Sequence, residues 1–370
     1  MKWLQNGNLA KLVAFFVIAV VITCTVSFAA NGWQSITNFD PQKDNSNSNN
    51  EAAGDSDGDG DVQDETVEVV LPSPKYYHSI TGLETSLEES IKRPLSFVFN
   101  STDPLYGISS SYLTIELPIE YGNTRLLCFT DDAKTLGKIG SLAPSRGYIE
   151  SLSAYYGGIL LSYGSDDAIG YEYLKSSEKL DFLETVGYCY TEYNSFAYTN
   201  ADLVNAFIKN SRVNQSSSEA VSLPYDFCAP DDKIDLIGET ATGITITYSD
   251  GNTTQLSYSS YDKTYVYTKN SSIKNDLLND KPLKYDNAFI LYANSTTYET
   301  EDNIQFVLDT YTKGKGLYLC EGKYVPISWE RDPSGTLVFY NAEGERLTVN
   351  RGTTYISFVK SSEAKSVKIS

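Results

Sequence analysis

The chain has 370 residues and a formal net charge of −19 at pH 7, with 29 tyrosines but only one histidine and one methionine. Such an acidic chain does not offer the clustered positive surface that binding to a phosphate backbone needs, so no nucleic-acid partner is expected. The many tyrosines favour β-strands over a helical bundle, because an aromatic body with a polar tip suits a half-exposed pleated surface.

The segment 1–30 is predicted to contact a membrane. Residues 12–30 carry no charge, and about 20 residues at 1.5 Å rise span a bilayer. Lys2 and Lys11 precede this stretch, and no Lys or Arg follows it before Lys43. The positive-inside rule therefore places the rest of the chain outside the cytoplasm, at the cell membrane.

Three fates of this segment stay open. It is retained as a single-pass signal anchor, cleaved after Ala29 as a signal peptide, or lipidated at Cys24. Ser27-Phe28-Ala29 fits a small-x-small cleavage site. Val21-Ile22-Thr23 is a poor match to the residues that precede a lipidated cysteine.

Residues 31–75 are predicted to be a disordered acidic linker. They contain ten acidic and two basic residues and few large apolar ones, too little apolar surface to offset the entropy of ordering. Within the linker, Asp55-Ser-Asp-Gly-Asp-Gly-Asp-Val62 resembles a calcium loop. Thr66 stands where that loop needs Glu, so a solvated spacer is favoured, and no cofactor or metal is expected.

Residues 76–214 are predicted to form an α/β domain in which strands alternate with helices. Ser145 is predicted to cap a helix over 148–155, and Thr199 a second helix containing Leu203, Phe207 and Ile208. The predicted strands are 95–100, 113–119, 125–130 and 158–163.

A polar connector, 215–224, leads to a domain predicted at 225–362, followed by a tail at 363–370. The hydrophobic period there is two, and Gly-containing turns separate the runs, so this domain is predicted to be mostly antiparallel β and the whole fold α+β. The predicted strands are 243–249, 254–268, 288–293, 304–309, 316–320, 324–329, 337–340 and 355–359.

Two carboxylates draw attention on the second predicted strand. Ile115, Leu117 and Ile119 take one face, which leaves Glu116 and Glu120 on the other. A pair of carboxylates can serve glycoside hydrolysis. The alternatives are ligand recognition and an ion pair with Arg125, which follows after a short turn.

Other polar residues favour structural roles. His78 has no second imidazole for metal binding, and Ser162 has no histidine to activate it. The tyrosines of 258–267 either stack on sugars or pack against cross-strand neighbours. Of the cysteines, Cys189 with Cys228 is the pair to consider for a disulfide, whereas the runs around Cys128 and Cys320 are typical of buried thiols.

Several short motifs resemble the YerB-like lipoproteins of Gram-positive bacteria, a two-domain family whose function is not established. The resemblance spans about residues 79–360. Its motifs are Ser79-Ile-Thr-Gly-Leu83, Arg93-Pro94 with Asn100, Glu120-Tyr-Gly-Asn-Thr-Arg125, Trp329, the turn at 341–344 and Gly352-Thr-Thr-Tyr355.

The chain departs from the family pattern at two places. Ala143 replaces the first arginine of an Ile-Gly-Pro-Val-Arg-Ser-x-Arg segment, so only Arg146 remains there, and 193–198 lacks the family's histidine. The resemblance implies a polar cleft, which an arginine near a helix N-terminus could complete for an anion. The candidate ligand-binding residues are Asn100, Glu116, Glu120, Thr124, Arg125 and Arg146.

The sequence therefore predicts a membrane-tethered, extracytoplasmic binding or scaffold protein of the cell envelope, more probable as a non-enzyme. The expected contacts are the membrane, through residues 12–30, and an envelope protein or the cell wall. Alternatives are a module that binds cell-wall glycan or peptide, and an envelope-polymer hydrolase that uses Glu116 and Glu120.

Overall fold

The computed structural model of the chain describes residues 74–131, 137–164, 181–182, 187–192, 196–217, 221–299, 304–332 and 335–370. The predicted membrane segment, the acidic linker up to residue 73 and the calcium-like loop lie outside these ranges. None of the helices within them is both long and apolar enough to span a bilayer.

The part of the chain up to residue 217 combines short strands with three described helices. The four predicted strands are present to within one residue at each end, and the first of them, Leu95–Asn100, matches at both ends, whereas the remaining strands of this part were not predicted. The elements are β1 (Tyr76–Tyr77), β2 (Glu84–Thr85), α1 (Leu87–Ser90), β3 (Leu95–Asn100), β4 (Leu113–Pro118), β5 (Thr124–Thr130), β6 (Ile139–Leu142), α2 (Gly147–Tyr155), β7 (Ile159–Ser162), β8 (Asp181–Phe182), β9 (Tyr190–Thr191), β10 (Ala197–Thr199) and α3 (Ala201–Ser211).

From residue 221 onward the described chain is built of strands and turns with one 3-10 helix, Ser361–Ser366, which confirms the prediction of a largely β structure. These strands are β11 (Asp226–Phe227), β12 (Glu239–Thr240), β13 (Gly243–Ser249), β14 (Asn252–Ser259), β15 (Thr264–Lys269), β16 (Ser272–Ile273), β17 (Asn275–Asp276), β18 (Lys281–Pro282), β19 (Lys284–Tyr285), β20 (Asn287–Ala293), β21 (Ser295–Glu299), β22 (Ile304–Leu308), β23 (Lys313–Cys320), β24 (Lys323–Arg331), β25 (Leu337–Tyr340), β26 (Thr348–Val349), β27 (Thr354–Lys360) and β28 (Val367–Ile369).

One long sheet runs through both parts of the chain, in the order β12-β24-β23-β20-β27-β4-β5-β3-β6-β10-β9. The two parts join where β27 pairs in parallel with β4, Ile356 opposite Ile115. β27 is also parallel to β20 and β11 is parallel to β26, so the mostly antiparallel second part contains two parallel pairs. Strands from both sides of the predicted connector 215–224 therefore belong to one sheet, and Pro72–Ser370 form one compact unit.

The two faces of this sheet bury separate apolar clusters. On β4, Leu113, Ile115 and Leu117 belong to the first cluster, together with Phe306. The second cluster includes Tyr248, Tyr267 and Tyr355. Each fully buried Leu or Ile side chain stabilises the fold by about 1.5–3 kcal/mol, and the alternation along β4 sends Thr114 and Glu116 towards the opposite face.

A second sheet, in the order β16-β15-β14-β13-β28, brings its own tyrosines to the second cluster. The single strand predicted over 254–268 is in fact the hairpin of β14 and β15, and Tyr258 pairs with Tyr265 across it. The chain reverses at Lys263, which adopts a φ of 58°. Along β15, Tyr265, Tyr267 and Lys269 are buried in alternation.

In both helices the observed N-cap lies one residue after the predicted one. The residue that caps α2 is Arg146 and not Ser145, because the backbone N–H of Ser145 is still bonded to Gly164. The cap of α3 is Asn200, whose side chain accepts a hydrogen bond from the Leu203 N–H at 2.9 Å. Thr199 is not free to cap this helix because it belongs to β10.

Candidate functional site

A tight turn after β4 sets the position of Glu120. The turn spans Glu120–Gly122, and Tyr121 adopts a left-handed conformation within it, with φ 59° and ψ 23°. Gly122 follows at φ 69°, where an added Cβ would lie 2.5 Å from the Cβ of Ser249. Because the chain leaves the strand at Pro118, Glu120 no longer follows the alternation of β4.

Arg146 reaches Glu120 from the start of α2. Its Nε lies 3.1 Å from Oε1 of Glu120 and its Nη2 2.5 Å from Oε2, the two-pronged geometry in which guanidinium and carboxylate bind most strongly. Oε1 also accepts a hydrogen bond from the backbone N–H of Phe306 in β22 at 3.0 Å. Three distant segments of the chain thus meet at one carboxylate.

Electrostatics keep Glu120 ionised at this place. Burial by itself raises the pKa of its carboxyl, but the hydrogen bonds from Arg146 and from the Phe306 N–H outweigh burial and hold the pKa below its ordinary value. The side chains of Arg146 and Glu120 are only 6% and 10% exposed. The pair is therefore largely withdrawn from water.

A cavity of about 360 Å³ adjoins the ion pair, and we call it the Glu120–Arg146 cleft. Tyr121 lies at its edge, with three-quarters of its surface (75%) exposed. The residues that line it are Ile119, Glu120, Tyr121, Asn123, Arg146, Ile304 and Gln305. A charged pair, two amide side chains and an exposed ring provide donors, acceptors and a flat apolar face for one ligand.

Arg125 lies behind this cleft. Its Nη1 donates to the carbonyl of Pro144, so it supports the loop that delivers Arg146. Arg125 faces Asn100 across β3 and β5, but the Asn100 amide donates to Asp103 at 2.9 Å. Of the predicted polar cleft, the structure therefore keeps Glu120 and Arg146 and adds Tyr121, Asn123 and Gln305.

Glu116 occupies a different, sealed site. Lys269 Nζ lies 2.6 Å from its Oε1, and both side chains are 0% exposed. Thr124 and Tyr355 each donate to this carboxylate at 2.6 Å, and Thr254 and Tyr267 bond to it as well. The ion pair predicted with Arg125 is thus formed with Lys269, a residue that the sequence reading missed although the alternation of β15 places it on the buried face.

Burial pushes the pKa of the Glu116 carboxyl up, but the charge of Lys269 and the hydrogen bonds from Lys269, Thr124 and Tyr355 outweigh it and leave the pKa below its ordinary value. The carboxylate is ionised and fully enclosed. Glu116 lies among tyrosines of the second cluster, whereas Glu120 bonds to Phe306 of the first. The two carboxylates therefore do not flank a common substrate position, which glycoside hydrolysis needs.

His78 and Ser162 have structural partners. His78 Nδ1 accepts hydrogen bonds from the N–H groups of Ile80 and Thr81, so Nε2 carries the proton that it shares with Asp131 at 2.6 Å. Ser162 is buried and donates to the Gly164 carbonyl at 3.2 Å. Among the described residues, no group of three or more His, Cys, Asp or Glu side chains has the arrangement of a metal site.

The disulfide considered between Cys189 and Cys228 does not form, since both residues are present as thiols. Cys228 lies beside β26, where its Sγ donates to the Asp232 carbonyl at 3.3 Å. Cys189 instead packs against the second cluster. The predicted buried thiol at Cys128 is confirmed, and burial raises its pKa to about 12.

Several residues of the recognised motifs hold the framework together. Arg93 donates to the carbonyls of Gly157, Gly158 and Asn214. Trp329 is buried and donates to the Tyr292 carbonyl at 3.2 Å.

The chain is similar to known proteins in two respects. Residues 244–356 match the profile described as the C-terminal domain of a protein of unknown function, DUF3048. The crystal structure of the YerB protein from Bacillus subtilis superposes with a TM-score of 0.69 at 20% identity, covering 80% of this chain and 100% of that one. No curated protein matches the chain in sequence. At this identity the superposition establishes a shared fold.

Proposed function

We propose that this protein, whose fold resembles that of YerB and whose residues 244–356 match the DUF3048 C-terminal profile, is an extracytoplasmic binding protein of the bacterial cell envelope. In this proposal residues 12–30 tether it to the membrane, and the predicted α/β segment 76–214 and the β-rich segment 225–362 together present the Glu120–Arg146 cleft to a ligand or partner.

The observation that carries the proposal is the placement of a nearly dry ion pair beside an open cavity. A salt bridge that served packing alone would have no need of an adjoining space of about 360 Å³. Hydrogen bonds to charged groups are also stronger where water is excluded. Glu120 and Arg146 are therefore suited to orient a polar ligand.

The edge of the cleft supports the same reading. Tyr121 holds a left-handed conformation that is unusual for a bulky residue, and such strained residues concentrate at functional sites. Its ring is exposed beside the amides of Asn123 and Gln305. A flat ring with adjacent amides favours a cell-wall glycan or peptide, whose apolar faces stack and whose polar groups accept or donate hydrogen bonds.

The test is cosedimentation of the full-length protein, in nonionic detergent, with purified sacculi. We expect the wild type to sediment with them and Tyr121→Ala to stay in the supernatant. Tyr261→Ala is the matched control, because Tyr261 is 95% exposed and lies in the turn between β14 and β15, away from the cleft residues. It should sediment like the wild type.

A crosslinking experiment in intact membranes separates a cell-wall ligand from a protein partner. If no variant binds sacculi but a crosslinked partner is lost in Tyr121→Ala and kept in Tyr261→Ala, the protein is a scaffold for that partner. If neither assay responds to Tyr121→Ala, the cleft is not the binding site. A change in muropeptide or glycan products between wild type and Glu120→Gln would favour the hydrolase alternative instead.

A further inference from the structure

A second cavity, of about 400 Å³, lies where the start of the described chain meets β11 and the turns on either side of β26. We call it the two-arginine pocket, after Arg346 and Arg351. The residues that line it are Tyr77, His78, Ser79, Gly82, Val221, Ser222, Leu223, Tyr225, Asp226, Phe227, Arg346 and Arg351. None of them belongs to the Glu120–Arg146 cleft.

The guanidinium of Arg351 is held on several sides. Its Nε donates to the Cys228 carbonyl at 3.0 Å, and its Nη1 donates to the Gly82 carbonyl. The group also lies 4.7 Å from the ring centre of Tyr77 and 5.6 Å from that of Phe227. Within the described part of the chain, its Nη2 has no acceptor, so one nitrogen of a fixed planar group stays open.

Arg346 is arranged in the same way on the other side of β26. Its Nε donates to Asp226 at 2.9 Å, and its Nη2 donates to the carbonyls of Leu223 and Tyr225. Its Nη1 has no acceptor among the residues that the structure describes. Both arginines are thus anchored through two nitrogens and keep the third for another group.

The local charge of the pocket is opposite to that of the whole chain. Among the described residues of the lining, Asp226 is the only acidic one that counters Arg346 and Arg351, although the chain carries −19 overall. His78 has both ring nitrogens engaged by Ile80, Thr81 and Asp131, so its ring forms part of the pocket wall and leaves no nitrogen for a ligand. A positive cavity kept within an acidic protein discriminates in favour of an anion.

We propose that the two-arginine pocket binds an oxyanion, a phosphate or carboxylate group, as a second ligand site. Guanidinium groups suit both anions because their N–H donors match the planar or tetrahedral oxygens. Fixing both groups beforehand removes the entropy of ordering two long side chains on binding. The cavity has room for an organic portion beyond the anionic group.

Calorimetric titration of the full-length protein in nonionic detergent tests this site. The probes are inorganic phosphate and glutarate, each added at constant ionic strength against sodium chloride. We expect saturable binding of at least one probe, weakened about tenfold or more in Arg351→Gln and in Arg346→Gln. Stronger binding of phosphate than of glutarate identifies a phosphate-bearing ligand, and the reverse a carboxylate.

Arg212→Gln is the matched control, because it removes the same charge from an exposed position at the end of α3. Its affinity should stay within about twofold of the wild type. Arg346→Lys and Arg351→Lys keep the charge, and their melting temperatures show whether the pocket still folds. Absence of saturable binding, or an equal loss in Arg212→Gln, overturns the proposal, since the arginines then serve only to join the chain segments.

Discussion

The two carboxylates of the β4 region illustrate two uses of an ion pair. Glu116 meets Lys269 in a sealed network with no exposed surface, whereas Glu120 meets Arg146 at the edge of a cavity. The partners differ accordingly. A lysine is a compact charge, and here its ammonium also donates to the hydroxyls of Thr124 and Thr254, whereas an arginine is a planar fork that fixes a direction. The first pair organises the interior, and the second borders the cavity in which we propose that a ligand binds.

The largest expected effect comes from breaking the sealed pair. Lys269→Met leaves Glu116 as an uncompensated buried charge, so the free energy of unfolding should fall by about 3–5 kcal/mol. Urea denaturation measures it. Lys274→Met is the control, because among the described residues Lys274 donates to the carbonyls of Thr102 and Asp103 alone. This substitution should lower the free energy of unfolding by about 1 kcal/mol. Equal losses in the two variants would contradict a sealed network.

Lowering the pH should reduce the difference in free energy of unfolding between the wild type and Lys269→Met. In the wild type the folded-state pKa of Glu116 is lowered, so this group contributes stability above the unfolded value of about 4.3 and loses it as pH falls through the folded pKa. Without Lys269, burial raises that pKa instead, and protonation then relieves the buried charge. Urea unfolding from pH 7 to pH 4 measures the gap, and a constant gap would exclude Glu116 as its cause.

A smaller effect is expected at the cleft. Glu120→Ala removes the acceptor of Arg146 and of the Phe306 N–H, at a cost of about 1.5–3 kcal/mol for hydrogen bonds to a charged group. The loss stays below that of Lys269→Met because water in the cavity can solvate the remaining guanidinium. Denaturation by urea compares the two directly. A loss at Glu120 as large as at Lys269 would mean that the cleft is closed to water.

The smallest expected effect is a gain in stability at Tyr121. Tyr121→Gly relieves the left-handed backbone at φ 59°, so unfolding should become harder by about 1 kcal/mol or less, while sacculus binding is lost with the ring. Tyr261→Gly is the comparison, because Tyr261 has no positive φ and should gain nothing. A destabilised Tyr121→Gly would show that the ring serves folding, not binding.

Local patterns predicted the strands well. β3, β13 and β25 have the bounds expected from short apolar or alternating runs, since such runs depend only on neighbouring residues. The prediction that Glu116 and Glu120 share one face of a strand was wrong, because the strand ends at Pro118 and the left-handed Tyr121 breaks the alternation. The hairpin within 252–269 was missed for a similar reason, because the turn residue at positive φ is Lys263 and not a glycine.

Alternation along the chain was enough to specify the largely β second part, the bounds of several of its strands and the burial of residues such as Cys128. It could not identify the partners of charged groups. Lys269 lies 153 positions from Glu116, and Phe306 lies 186 positions from Glu120. A periodic pattern states which face a side chain takes, but which distant segment covers that face depends on how the sheets pack. Only the tertiary structure therefore distinguished the sealed pair of Glu116 from the pair of Glu120, which borders a cavity.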